Sequence, residues 1–244
     1  MEGIGRRDFL ALAGGCVVFS AASVRAAVPD GKTVLLGATA KACGMALAHP
    51  ETALILERGI HPAPEFTLSL DPETAGTPRS ETGKAFAAEL ERNGVLKDGV
   101  LYHQPMSYFL SDFLTKRGVR VLYAAEYVRH AACDRGATVV ACGNDGPVTF
   151  GAKHVIDTRP GKVVAVSGVL VARGKSVETR LFRVPLPSDA NWTQARLALA
   201  DAWAARKGDY QGFDLVAEAG ALKRDTGFPD FFSAFEEGLA WTGT

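Results

Sequence analysis

Charge of one sign is what this chain most plainly lacks: Lys plus Arg number 27 and Asp plus Glu number 27 among 244 residues. A balanced chain carries no overall field for a polyanion, so neither nucleic acid nor an anionic surface is implied as a partner. Cysteine is scarce, at four residues, and no pair has metal-site spacing. The five histidines are scattered, none three or four residues from another, which argues against a zinc site. No Gly-x-Ser-x-Gly elbow occurs, and Ser167 in "AVSGV" lacks the flanking glycine that would make one. After the first thirty residues no run of about eighteen apolar residues appears, so no mature transmembrane helix is expected. What the chain does have is 47% hydrophobic and 22% charged residues, the composition of a globular protein with a real core.

The N-terminus carries paired arginines, Arg6 and Arg7, then Asp8-Phe9-Leu10, a modest apolar run and Val24-Arg25-Ala26. Residues 1–26 therefore read as a twin-arginine export signal cut after Ala26, which predicts a periplasmic protein. That route carries proteins already folded and favours a redox or cofactor protein. Cys43, Cys133 and Cys142 remain after cleavage, an odd number that leaves at least one thiol unpaired. Cys133 and Cys142 could pair if they flank a turn; free buried thiols are the expected state.

Residues 32–59, "KTVLLGATAKACGMALAHPETALILERG", have the outline of strand, tight turn, helix and second strand. Thr33–Leu36 and Ala53–Leu56 are short apolar runs, read as buried strands, and Pro50 stops the alanine-rich helix between them. So compact a unit implies a right-handed parallel crossover, the start of a Rossmann-type sheet. In such turns three glycines do three jobs. Gly37 makes the tight turn, Thr39 stands where the backbone must approach a pyrophosphate, and Ala42 serves where helix meets strand. Glu57, twenty residues after Gly37, is placed to accept hydrogen bonds from ribose hydroxyls. Thr39 would crowd a phosphate, and its hydroxyl could cap the helix and fill the anion site from within. Lys41 acts in the other direction, its charge lying near the position of a pyrophosphate.

Residues 60–79 hold four prolines and read as an irregular excursion. Ser80 is a candidate cap for a helix running to Asn93, with Gly94 as its stop. Met106, Phe109, Leu110, Phe113 and Leu114 fall at helical spacing within Gln104–Lys116. "VRVLYAAEYV" reads as one strand, Val119–Val128, and strands follow near 137–142, 147–150 and 153–157, with a hairpin at Asn144-Asp145-Gly146. Two further strand-like runs lead to Pro187. Beyond it the chain reads as helical over 190–206, with short segments near 213–222 and 229–240.

This order of elements, followed by "HVIDTRPG" (His154–Gly161), resembles the FAD-dependent oxidoreductases of the glutathione-reductase superfamily over roughly residues 32–170. The resemblance implies an α/β fold: a Rossmann-type, FAD/NAD(P)-binding-like parallel sheet over residues 27–187. It carries a β-meander insertion, and a helical C-terminal segment follows over 188–244. It implies FAD as cofactor and hydride or electron transfer to or from a small molecule, the flavin doing the chemistry. It implies a cofactor contact set of Gly37, Ala38, Thr39, Ala40, Ala42, Glu57, Arg58, Val128 and Thr158, with Val128 offering its backbone to the adenine. The sequence departs from the family at Thr39, after Glu57, at Thr158-Arg159-Pro160-Gly161 and in its short length. Those departures leave a second expectation: a non-catalytic partner of a larger redox subunit that kept the fold and lost the cofactor.

A flavoenzyme demands no acid or base from the protein, and no strong catalytic candidate stands out. His61, His103 and His130 read as structural or surface residues, Tyr102-His103 being the best placed because it precedes a helix. Trp192 and Trp203 read as core or docking residues. A short-chain dehydrogenase is excluded, because there is no Tyr-x-x-x-Lys and Gly44 is one residue out of place.

Overall fold

The computed structural model describes residues 32–68, 75–134, 136–159, 162–172, 179–187, 190, 192–225 and 230–243. The expected export signal, residues 1–26, lies outside the described residues, as do Pro160 and Gly161 and the side chains of His103 and Trp192.

A four-stranded parallel sheet organises the fold. It is built from β1 (Thr33–Leu36), β2 (Ala53–Leu56), β5 (Arg120–Leu122) and β9 (His154–Asp157), in the order β5-β2-β1-β9. β1 is buried at every position, as a central parallel strand covered on both faces must be. Its side chains alternate between two cores. Leu35, with Ile55 of β2, joins the larger core beneath the helices. Val34 and Leu36, with Leu56, pack against Val139, Ala141 and Ala152 of a meander laid over the other face. That meander is β6 (Glu126–Cys133), β7 (Gly136–Gly143) and β8 (Gly146–Ala152), paired antiparallel. The fold is thus the α/β, Rossmann-type parallel sheet with a β-meander.

The helical face carries α1 (Ala40–Ala48), the single turn α2 (Pro64–Thr67), α3 (Glu81–Arg92) and α4 (His103–Lys116). A two-stranded hairpin, β3 (Leu96–Lys97) and β4 (Val100–Leu101), joins α3 to α4. Ser80 caps α3 as expected, its Oγ accepting from Gly83 N at 2.9 Å, and Gly94 follows with φ 67°. α6 (Phe231–Leu239) returns from the far end of the chain and lies on α1. The two helices touch backbone to backbone: a Cβ on Gly44 would overlap the Phe235 carbonyl oxygen, and one on Gly238 the Lys41 carbonyl oxygen. Phe231 and Phe235 of α6 then stack on Phe86 of α3, which also meets Phe113 of α4. A third core gathers Val166, Leu170, Phe182, Ala195, Leu199 and Phe213. It lies between α5 (Trp192–Arg206) and the antiparallel sheet of β10 (Lys162–Ala172), β11 (Thr179–Pro185) and β12 (Phe213–Asp225).

Four expectations are corrected. The run Val119–Val128 is two strands, β5 and β6, because the chain turns at Ala124 (φ 51°) to bond the loop after β2. Ala124 N donates to Gly59 O and Ala125 N to Glu57 O, both at 2.9 Å. Residues 60–79 are not wholly irregular, since Pro64 opens α2. The segment near 213–222, expected to be helical with the rest of the C-terminal stretch, is strand β12, fixed by antiparallel pairing to β10. The thiols are free as expected, but only Cys43 is buried; Cys133 and Cys142 are exposed, near opposite ends of the β6–β7 pair.

Candidate functional site

The crevice at the C-terminal edge of a parallel sheet is where such folds bind ligands. Here β1, β2 and β9 end together, at Leu36, Leu56 and Asp157. Gly37 makes the turn with φ 89°, the left-handed region that glycine enters freely, and its N–H continues the ladder to Leu56 O at 2.7 Å. Arg159 lies against it; a Cβ at Gly37 would come within 2.8 Å of the Arg159 Cγ.

The amides at the start of α1 are taken up from within. Thr39 is the N-cap, and its Oγ1 accepts from Ala42 N at 3.2 Å. That is the self-capping the sequence made possible. Glu57 Oε2 accepts from Ala38 N at 2.7 Å, and its Oε1 from Gly59 N at 2.6 Å. Glu65, from α2, reaches across so that its Oε1 accepts from Ala40 N at 2.7 Å. Of the expected contact set, Gly37, Ala38, Thr39, Ala40, Ala42, Glu57 and Thr158 are brought together in this crevice. Thr158 ties β9 to the turn, its hydroxyl within 2.9 Å of both the Leu36 and Gly37 carbonyls.

Arg58 and Val128 lie elsewhere. The Arg58 side chain is 84% exposed and pairs with Glu126 at 3.0 Å. Val128 is 54% exposed in β6, not at the end of a parallel strand. The β6–β7 register shifts between Tyr127 and Arg129, leaving Val128 as the extra residue of a bulge. The histidines have structural partners: His61 Nδ1 meets Ser107 Oγ at 2.6 Å and His130 Nδ1 meets Tyr127 Oη at 2.7 Å. Trp203 packs beside Phe182 and Tyr210 in the third core.

Glu65 is the residue that sequence reading missed. It is 4% exposed, and its Oε2 has no hydrogen-bond partner among the described residues. Burial raises its pKa from 4.5 to about 7; the bond from Ala40 N lowers it in part, and the Glu57 charge raises it further. Burial also lifts the Cys43 thiol well above its usual range, with the Glu65 charge adding to it, so Cys43 is an unreactive core residue. Outside the turn, Asp157 is held below the usual carboxylate range, first by its bond from the Arg159 side chain. A signal for Glu65 existed: Pro64-Glu65 is a helix-start pair, proline at the first position and an acid in the first turn.

The raised Glu65 pKa makes a testable stability term. A carboxyl whose folded pKa exceeds its unfolded value contributes fully below about pH 4.5 and loses that contribution as pH rises through about 7. Between pH 5 and pH 8 the wild type should lose about 2–3 kcal/mol relative to Glu65→Gln, read as diverging melting temperatures. Parallel melting curves would remove this assignment.

A cavity of about 180 Å3 lies in front of the turn, lined by Thr39, Lys41, Glu65, Asp157, Thr158 and Arg159, with Ile156 and Ala234. Cofactor pockets run to about 300–1,000 Å3. Lys41 pairs with Glu237 at 2.5 Å, and Arg159 with Asp157 at 2.6 Å.

Solved structures share this fold. A geranylgeranyl bacteriochlorophyll reductase-like protein from Thermoplasma acidophilum aligns with TM-score 0.54 at 10% identity, over 85% of this chain and 76% of its own. AlpK aligns with TM-score 0.50 at 13% identity, over 77% of this chain and 51% of its own. BexE, studied for oxidation during BE-7585A biosynthesis, gives 0.50 at 16% identity with the same coverages. The chain spans about half the length of AlpK and BexE. No protein-family model matches the sequence, and no curated protein matches it. At these identities the likeness is one of fold.

Against that fold, the FAD expectation fits in part. Gly37 makes the required turn, and each Glu57 oxygen keeps an acceptor site after its one amide bond, as a ribose contact would need. The amides of Ala38, Ala40 and Ala42 already have acceptors, so a diphosphate reaches them only by displacing Glu57, Glu65 or Thr39.

Proposed function

We propose that the chain is an FAD-binding oxidoreductase, or the flavin-binding subunit of one, acting by hydride or electron transfer on a small molecule. The observation that carries this reading is the β1–turn–α1–β2 unit ending in Glu57, whose carboxylate lies against the turn. The neighbours in fold include a protein described as reductase-like and one studied for oxidation, which agrees with redox chemistry. FAD would supply that chemistry; Gly37 and Glu57 would hold its adenosine end. The Arg6-Arg7 segment supports export by the twin-arginine route to the periplasm.

The test is an absorption scan over about 350–500 nm on protein folded before export, followed by melting with added FAD. Bound flavin should colour the protein, and FAD at a hundred times its dissociation constant should stabilise it by about 2.7 kcal/mol. Colourless protein with an unmoved melting temperature would reject the reading. A second reading has its own support in the three internally bonded amides: a partner subunit that keeps the fold without the cofactor. It predicts that a larger redox subunit co-purifies with the chain.

A further inference from the structure

The carboxyl of Glu65 is held by the Ala40 amide and by its own backbone amide, and leaves one oxygen over. An ionised carboxylate accepts about four hydrogen bonds. Glu65 lines the cavity; its Oε1 takes the Ala40 amide, and its Oε2 takes none among the described residues. A buried charge satisfied so incompletely is a poor occupant of its place. The place itself is favourable to anions in general, being the amide-lined start of a nine-residue helix. The cavity in front of it also has Lys41 and Arg159 in its wall.

We propose that Glu65 is a removable occupant of the α1 N-terminus: a phosphate-class anion takes the Ala40 amide in its place, and the displaced carboxyl takes up a proton. This deepens the nucleotide-binding reading and rests on it for the nature of the natural anion. The ionised carboxylate and the anion compete for one amide. The protonated carboxyl, having an O–H to give, no longer repels the anion and can donate to it. A folded pKa of about 7 puts the exchange near neutral pH.

The charged and titratable groups facing Glu65 come from each element around it. Glu57 stands at the end of β2, Cys43 and Lys41 on α1, Asp157 at the end of β9 and Arg159 just after it. α6 presents Ala234 to the cavity, and its Glu237 holds Lys41. His61, on the loop into α2, is engaged with Ser107. Of these, Glu65 is the one that joins a near-neutral pKa to a bond on the helix start.

The experiment titrates sulfate, whose charge is constant near neutral pH, into the full chain by calorimetry at pH 6 and pH 8. With the Glu65 pKa at about 7, wild-type affinity should fall about tenfold from pH 6 to pH 8. Runs in two buffers of different ionisation enthalpy should show close to one proton taken up per sulfate at pH 8. Glu65→Gln, which keeps an acceptor for the Ala40 amide, should bind with no such pH dependence and about tenfold tighter than wild type at pH 8. An equal pH slope in both proteins, no proton uptake by the wild type, or no sulfate binding by either would overturn the proposal. FAD titration of the same two proteins separates the ideas. If sulfate behaves as stated and neither protein binds FAD, the flavin reading fails and the exchange stands. If FAD binds both alike at either pH and sulfate shows no slope, the exchange fails and the flavin reading stands.

Discussion

Gly44→Val should unfold the packing of α1 on α6 and lower stability by about 4 kcal/mol, beyond the usual 1–3 kcal/mol for an overfilled core. The usual range describes side chains that can shift into new rotamers. At Gly44 the obstacle is backbone: the carbonyl of Phe235, the amide of Leu239 and the main chain of Gly238 all lie where a side chain would go. The helices can only part, and the whole of α6 moves with them. Phe231, Phe232 and Phe235, each fully buried, would then lose their contacts with the core around Phe86. In a chain of this size the change should appear as a fall in melting temperature of about 8–16 °C. Near-ultraviolet circular dichroism should weaken at the same time, since the phenylalanine stack is anchored on that interface. A Gly44→Val protein melting within a couple of degrees of wild type would mean that α1 and α6 do not meet as described.

The sequence made the fold legible wherever local chemistry decides the structure. β1 and β2 are short apolar runs closed by glycine or by an acid. α3 has its serine cap and glycine stop, and α4 has a stripe at helical spacing. Asn144-Asp145-Gly146 could hardly be other than a hairpin, and β7 and β8 flank it. What was illegible depends on distant partners. Nothing within "VRVLYAAEYV" marks a break at Ala124; the turn exists because Gly59 and Glu57 offer carbonyls from the loop after β2. Phe213–Asp225, alanine-rich and of mixed pattern, becomes a strand only by pairing with β10, the tertiary override to which strand propensity is prone.

The site divides along the same line. Gly37, Thr39 and Glu57 were legible because each acts within one βαβ unit, at spacings the turn dictates. Self-capping by Thr39 was foreseeable from a hydroxyl at a helix start. Glu65 showed locally only as part of a Pro64-Glu65 helix start; its partner Ala40, 25 residues away, did not show at all. Arg159 over Gly37 was hidden too, since β1 and β9 become neighbours only after the whole meander has been laid down. The crevice therefore joins a unit that sequence spacing describes to two side chains that only the closed fold supplies. Those two account for much of its departure from an open nucleotide cleft.

Glu57→Ala separates architecture from ligand binding, and it should cost about 4 kcal/mol. The Glu57 carboxylate is 6% exposed and accepts from two backbone amides, Ala38 N at 2.7 Å and Gly59 N at 2.6 Å. A hydrogen bond to a charged group contributes about 1.5–3 kcal/mol, and an amide left unpaired in a buried turn adds its own desolvation cost. Alanine removes both acceptors at once and loosens the turn from each side. Glu57→Gln is the informative companion. Its one amide oxygen can keep the Ala38 bond, while its NH2 faces the Gly59 N–H, donor against donor. It should therefore lose about half as much stability and remain folded at room temperature. If the chain binds FAD through the ribose hydroxyls, Glu57→Gln should lose flavin absorbance and the FAD-dependent rise in melting temperature while staying folded. A folded Glu57→Gln protein that binds FAD as tightly as wild type would show that Glu57 serves the turn alone. Flavin affinity would then rest on some other part of the crevice.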